Sequence, residues 1–242
     1  MAERNLDLST EEYETIASFL GYGNPSAGVW FIGIDEGLGQ IDDKEARTNL
    51  KARAGFENTM DLRKAHLLLQ RDRQTIDIEL NPPPTRAWRW MARIMRAHEG
   101  NADWNDPKLA EEFVRQRLGR MNGTLNKSTF LTELSPIPAR GASDKKWMLE
   151  FMHRVPDLKA TLRIRNERLR ELAESASLIF CYGNGSNRAP QFADLLGTEW
   201  QSLTSDISIS RDSRRLLLPF FGFRKEKQLQ AAVEELLIRG LL

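Results

Sequence analysis

The chain is expected to fold as an α/β protein, a parallel sheet covered by helices on both faces. Two observations carry this. Val29 to Ile34 (VWFIGI), Ser128 to Leu134 (STFLTEL), Ser177 to Tyr182 (SLIFCY) and Arg215 to Pro219 (RLLLP) are short apolar runs, three of them near-continuous, as in strands buried on both sides. Helical patterns lie between them, which is what the crossovers of a parallel sheet require.

From the start of the chain, Ser9 to Glu12 spells an S-x-x-E capping box before a short amphipathic helix that Gly21 and Gly23 stop, and Asn24-Pro25 turns the chain. The first strand follows, with Gly33 and Gly37 marking close backbone approach at its carboxyl end. From Gln40 to Lys127 the sequence is polar and mostly helical, broken by Asn81-Pro82-Pro83-Pro84, which forbids helix. It reads as an elaboration on the core. Within it Arg86, Arg89, Arg93 and Arg96 recur at helical steps opposite Trp88, Met91, Ala92 and Met95, so one face is basic and the other packed. Asp106-Pro107 is an N-cap and N1 pair for a helix that Gly119 ends.

After the second strand, Ser143 to Met152 is read as a helix with Trp147, Met148, Phe151 and Met152 inward, and Leu158 to Ser175 as a long arginine-rich helix. Gly183-Asn184-Gly185-Ser186 turns the chain after the third strand. Asp206 to Ser210 is a short strand or a turn. The fourth strand leads through Phe220-Phe221-Gly222-Phe223 into a final helix, Lys225 to Arg239. The expected organisation is a single domain over residues 1–242 with a helical insertion at about 40–127.

Composition narrows the function. Hydrophobic residues at 40% and charged residues at 29%, with no apolar run of about 18 residues, describe a globular chain outside the membrane. The first residues lack the basic-then-apolar order of a secretory signal, which places the expectation in the cytoplasm. Cys181 is the only cysteine and His66, His98 and His153 are scattered, so no disulfide, metal or cofactor is expected. A net charge of +1 leaves a nucleic-acid face to be found locally.

Parallel sheets bind ligands at the carboxyl ends of their strands. The loop GIDEG, Gly33 to Gly37, places Asp35 and Glu36 there. Two readings stay open: a carboxylate that activates water or stabilises a cation, or a cap for the next helix. Neither a phosphate loop nor a G-x-G-x-x-G fingerprint is present.

In order, GIDEG, TELSPIP (Thr132 to Pro138), CYGNGS (Cys181 to Ser186) and LPFFGF (Leu218 to Phe223) give a chain that resembles the uracil-DNA glycosylase superfamily. The resemblance implies a three-layer α/β/α sandwich with a central four-stranded parallel sheet, acting on DNA by base flipping. It gives Asp35 the role of orienting the hydrolytic water and supporting the sugar cation. Glu36 stands in place of the usual proline and is a second acid. Glu133 stands near the Asn that reads the uracil edge. An ionised Glu cannot donate to a carbonyl but can accept from an exocyclic amine such as cytosine N4, which argues against plain uracil. Leu218-Pro219-Phe220 stands where His-Pro-Ser is usual, so the histidine that stabilises the departing base is missing.

The expected base-binding set is Glu133, Ser135, Asn184, Phe220 and Phe221. Asn184 is equally an ordinary turn residue, and the phenylalanines are either stacking and wedging side chains or core. DNA contacts are expected from Arg140, Arg224, Lys225, Arg89 and Arg93, the last two also readable as a solvated face. The implied activity is a monofunctional glycosylase, a monomer, releasing a modified pyrimidine, with glucosylated hydroxymethylcytosine of phage DNA as the candidate and anti-phage defence as the setting. Alternatives are a catalytically silent DNA-binding module of the same fold and a uracil-DNA glycosylase with an atypical site. A small-molecule hydrolase finds no G-x-S-x-G nucleophile motif. The single cysteine excludes the iron-sulfur cluster that some branches carry.

Overall fold

The computed structural model describes residues 8–37, 43–69, 85–122, 128–139, 146–184, 188–219, 221 and 225–242, and at 35–37, 43–45, 146 and 184 the backbone path only. The proline segment Asn81 to Pro84 lies outside the described residues. The chain is α/β. In order it forms α1 (Thr10–Ser18), β1 (Gly21–Gly23), β2 (Val29–Gly37), α2 (Asp43–Arg53), β3 (Thr59–Met60), α3 (Leu62–Leu69), α4 (Arg86–His98) and α5 (Pro107–Gln116). Then come β4 (Thr129–Ala139), α6 (Lys146–Arg154), α7 (Leu158–Ala173), β5 (Leu178–Asn184), α8 (Ala189–Leu196), β6 (Trp200–Ser202), β7 (Ser208–Ser210), β8 (Arg215–Pro219) and α9 (Glu226–Ile238).

One mixed sheet of eight strands, ordered β3-β1-β4-β2-β5-β8-β7-β6, runs through the described residues. The four strands expected from sequence, β4, β2, β5 and β8, are neighbours and mutually parallel. The expectation of a four-stranded sheet is corrected at both edges, where β1 runs antiparallel to β4 and β7 antiparallel to β8. These additions are two or three residues long, too short for a periodic signal, and β1 is glycine-rich. Gly23 has a φ of +92°, and a Cβ there would lie 2.2 Å from the Thr129 carbonyl oxygen. The glycine read as a helix stop is what lets β1 approach β4.

Both faces of the central strands are buried. Phe31 and Phe180, stacked at 5.2 Å, pack with Met91 and Ile94 of α4 and Val233 of α9. On the other face Trp30, Ile179 and Cys181 pack with Leu169 of α7 and Phe192 of α8. Each large apolar side chain so buried contributes about 1.5–3 kcal/mol. The helices of the expected insertion are thus not peripheral, because α4 forms part of the main core. A separate cluster of Tyr13, Leu50, Ile137, Trp147 and Phe151 pins the far end of β4 beneath α1, α2 and α6.

Ser9 and Glu12 close their capping box and Asp106 caps α5, as read, while the structure adds Thr85 as the cap of α4 and Asp157 as the cap of α7. The helix expected from Ser143 is described from Lys146, with Ser143 to Lys145 outside the described residues, and Met152, expected inward, is 62% exposed. With Trp147 and Phe151 buried, a step of five residues from Trp147 carries Met152 off the packed side.

Candidate functional site

Because β2, β4, β5 and β8 are parallel, their carboxyl ends lie along one edge. Two of the expected loops are continuations of strands. β2 and β4 pair Gly33 with Glu133 and Asp35 with Ser135, then slip, so that the next pair is Gly37 with Ala139. Pro136 to Pro138 of β4 therefore stand opposite the single position Glu36 of β2, so the irregularity lies on β4, a device common beside active sites. β5 slips against β8 in the same way between Tyr182 and Asn184.

At this edge Glu133, Tyr182 and Gly33 meet. The Tyr182 hydroxyl donates to Glu133 Oε1 at 2.9 Å. The ring of Tyr182 stacks on Phe221, two residues past β8, at 4.5 Å and 10°. Gly33 makes the space: a Cβ there would lie 1.8 Å from Glu133 Oε2 and 2.3 Å from the Tyr182 hydroxyl. The Glu133 carboxylate is seated on the backbone of β2 two residues before Asp35.

Arg165, from the middle of α7, holds Glu133 from behind. It is 3% exposed, and its guanidinium donates to the carbonyl oxygens of Phe19 at 2.6 Å and Glu133 at 2.8 Å, and to Thr132 Oγ1 at 3.2 Å. Burial lowers its pKa to about 10, opposed by attraction to the Glu133 charge, so it remains cationic at neutral pH.

Gly33→Ala is expected to displace the Glu133 carboxylate, since the rigid Tyr182 ring closes the other side. Forcing one methyl into a filled space costs about 1–3 kcal/mol. Thermal denaturation should show that loss, and Tyr182 fluorescence should report the changed contact; a variant identical to wild type in both would mean the carboxylate sits elsewhere.

No family model, curated protein or solved structure matches this chain. The site therefore stands on its own geometry.

The described structure brings Glu133, Ser135 and Phe221 to the edge where Asp35, Glu36 and Asn184 have their backbone. Ser135 is turned to local use, its Oγ bonding the carbonyl oxygen and amide nitrogen of Ile137 at 3.2 and 3.3 Å. Phe221 is buried, so it is a wall behind Tyr182 and not a wedge. Phe220, Arg140 and Arg224, and the side chains of Asp35, Glu36 and Asn184, lie outside the described residues. Lys225 is exposed at the start of α9.

The arginine stripe of α4 is engaged within the protein. Arg89 pairs with Glu111 at 2.7 Å and Arg96 with Asp103 at 2.5 Å. Arg93 is buried, pairs with Glu226 of α9 at 3.1 Å and lies over the Trp90 ring at 4.7 Å. A stripe at helical spacing says nothing of partners supplied by α5 and α9, which is why Arg89 and Arg93 read as candidate phosphate contacts.

Sequence reasoning missed Tyr182 and Arg165. Arg165 had a signal: with Leu158, Leu169 and Ala173 it falls on the buried face of α7, an arginine in an apolar stripe. Cys181, fully buried, has its thiol pushed far above the usual range by desolvation and is no nucleophile. Among the described residues no group of His, Cys, Asp or Glu is placed to hold a metal ion, and no helix is long and apolar enough to cross a membrane. A groove of about 710 Å³ runs between α7 and α8 beside Leu134. It excludes Glu133 and Tyr182, and Arg163 and Arg170 on its wall already bond Glu167 and the Leu195 carbonyl oxygen.

Proposed function

We propose that the protein is a monofunctional DNA glycosylase on a three-layer α/β/α sandwich, hydrolysing the bond between a flipped, modified pyrimidine and its sugar. The observation that carries the reading is Glu133, set on Gly33 and held by Tyr182, two residues along the β2 register from Asp35. A residue that accepts from a base edge and a carboxylate that handles water thus come from adjacent strands, at the edge where parallel sheets bind ligands.

In this mechanism a base enters the edge beside Glu133, which accepts from its exocyclic amine. Asp35 takes the proton of a water whose oxygen attacks C1′, and the electrons of the breaking C1′–N bond leave with the base. Glu36, next along β2, adds negative charge near the developing sugar cation. Lys225 contacts phosphate, while Arg89 and Arg93 serve the fold. We place the protein in the cytoplasm as a monomer, with DNA bearing bulky modified cytosines as its partner and anti-phage defence as its setting.

The test is base release from matched DNAs containing uracil, hydroxymethylcytosine or glucosylated hydroxymethylcytosine. Release of a modified cytosine, leaving alkali-labile abasic sites, supports the reading. Intact DNA in every case, with mobility shifted, favours the silent DNA-binding module. That second reading has its own observation: β8 ends in Leu218-Pro219, with no histidine to receive a departing base.

A further inference from the structure

Glu133 of β4, Gly33 of β2 and Tyr182 of β5 form one row across three neighbouring strands. β2 and β4 pair Gly33 with Glu133, and β2 and β5 pair Ile32 with Cys181, which puts Tyr182 alongside Gly33. The outer two residues stand two strand spacings apart, each about 4.8 Å. Their side chains meet all the same, the Tyr182 hydroxyl donating to Glu133 Oε1 at 2.9 Å. The bond passes over Gly33, where a Cβ would lie 1.8 Å from Glu133 Oε2 and 2.3 Å from the hydroxyl. We propose that Tyr182 is a positioning residue: through Glu133 it ties β5 to β4 across β2, and so fixes the stretch of β2 that carries Asp35. The proposal rests on the glycosylase reading for what Asp35 does.

The row lies where backbone pairing gives out. The described ladder between β2 and β5 ends at Ile32 and Cys181, β5 slips against β8 after Tyr182, and β4 slips against β2 after the pair of Asp35 and Ser135. Asp35 therefore lies between the row and a break in register. Strand ends open more readily than strand centres, and a side-chain bond across three strands supplies the restraint that the ladders stop giving.

Both ends of the bond are anchored. Tyr182 stacks on Phe221 at 4.5 Å, and its backbone pairs with Leu218. Glu133 has its carbonyl oxygen bonded at 2.8 Å by the buried Arg165, and its carboxylate rests on Gly33 and cannot sink toward β2. A bond between anchored groups restrains the strand beneath it. A phenol O–H on a carboxylate is also the charge-assisted kind, about twice as strong as a neutral hydrogen bond.

Tyr182→Phe keeps the ring and its stack and removes the hydroxyl alone. Amide hydrogen exchange is read first, since it needs no substrate. Exchange is expected to quicken about tenfold or more in peptides covering residues 33–37 and 133–139, the scale of one lost charge-assisted bond, with residues 30–32 and 216–218 unchanged. Single-turnover release of hydroxymethylcytosine, bare or glucosylated, is read second. Its rate at saturating enzyme is expected to fall about tenfold or more, the cost of a misplaced reacting group, with the half-saturating concentration kept. In Asp35→Asn the same loss of the hydroxyl is expected to change the remaining rate less than about twofold, because a residue that acts through Asp35 has nothing left to position. Unchanged exchange in Tyr182→Phe, or a fall in rate repeated in full in Asp35→Asn, overturns the proposal and leaves the glycosylase reading in place. Wild type that releases no base from any of these DNAs overturns the glycosylase reading, and the exchange difference then decides the tie between the strands on its own.

Discussion

Asp35→Asn is expected to lower base release about 10²–10⁴-fold, the usual scale for removing a positioned general base, with DNA binding retained. The replacement is nearly isosteric, so the backbone of β2, paired through Asp35 and Ser135, is kept. What changes is chemistry: an amide neither takes a proton from water nor opposes the positive charge that develops on the sugar. The neighbouring acid, Glu36, makes an informative comparison. Glu36→Gln is the control, expected to cost less because the proton acceptor remains. Single-turnover release, read as alkali-labile strand breaks, checks both. Equal loss in the two variants would assign the proton transfer to the pair, and undiminished release in Asp35→Asn would remove Asp35 from the reaction.

Where the sequence was legible, one physical reason recurs. β2, β5 and β8 lie in the middle of a sheet with helices on both faces, so nearly every residue in them must be apolar, and their extent can be read directly. The edge strands have no such constraint. β1 and β3 are three and two residues long and owe their place to backbone pairing, which leaves little mark on composition. The strand extensions past Ile34 and past Leu134 were hidden for a related reason: proline, glycine and carboxylates look like a turn, yet here they belong to strands whose register slips.

Legibility of the site divides along similar lines. Asp35 and Glu133 were visible because charge directly after an apolar strand is unusual and needs an explanation. Tyr182 was not, since an aromatic residue at the end of a buried strand is what any core would show. Its role depends on what faces it across two strands, Glu133 on one side and Phe221 on the other, and no local pattern encodes that. The α4 arginines mislead in the opposite direction, because their carboxylate partners come from Glu111 of α5, Asp103 of the connecting turn and Glu226 of α9.

Arg165→Met is expected to destabilise the fold by about 3 kcal/mol and lower Tm by roughly 6–12 °C, on the scaling for a chain of this size. The argument begins with what the guanidinium satisfies. It bonds the carbonyl oxygens of Phe19, Glu133 and, at 3.5 Å, Leu134, together with Thr132 Oγ1 and Asn166 Oδ1. Each buried acceptor that loses its donor costs about 1–3 kcal/mol. Relief of the desolvated charge offsets part of this, because methionine carries none. Arg165→Lys keeps the charge but supplies a point of three donors in place of a planar fork, so it recovers only part of the loss.

The pH dependence follows from the same burial. The folded pKa, about 10, lies below the reference 12.5, so the unfolded chain holds this proton more tightly. The stability contribution of Arg165 is then flat from acid to about pH 10 and turns favourable only as the proton leaves above it. From neutral pH to about pH 10 the stability difference between wild type and Arg165→Met is therefore expected to stay constant, as read from denaturant unfolding at each pH. A difference that narrowed steeply toward acid would mean that Arg165 is held mainly by a titrating carboxylate and not by carbonyl oxygens. Because one of those carbonyls belongs to Glu133, base release in Arg165→Met is also expected to fall at temperatures where the variant remains folded. The guanidinium supports the fold and the proposed base-reading residue through the same bonds.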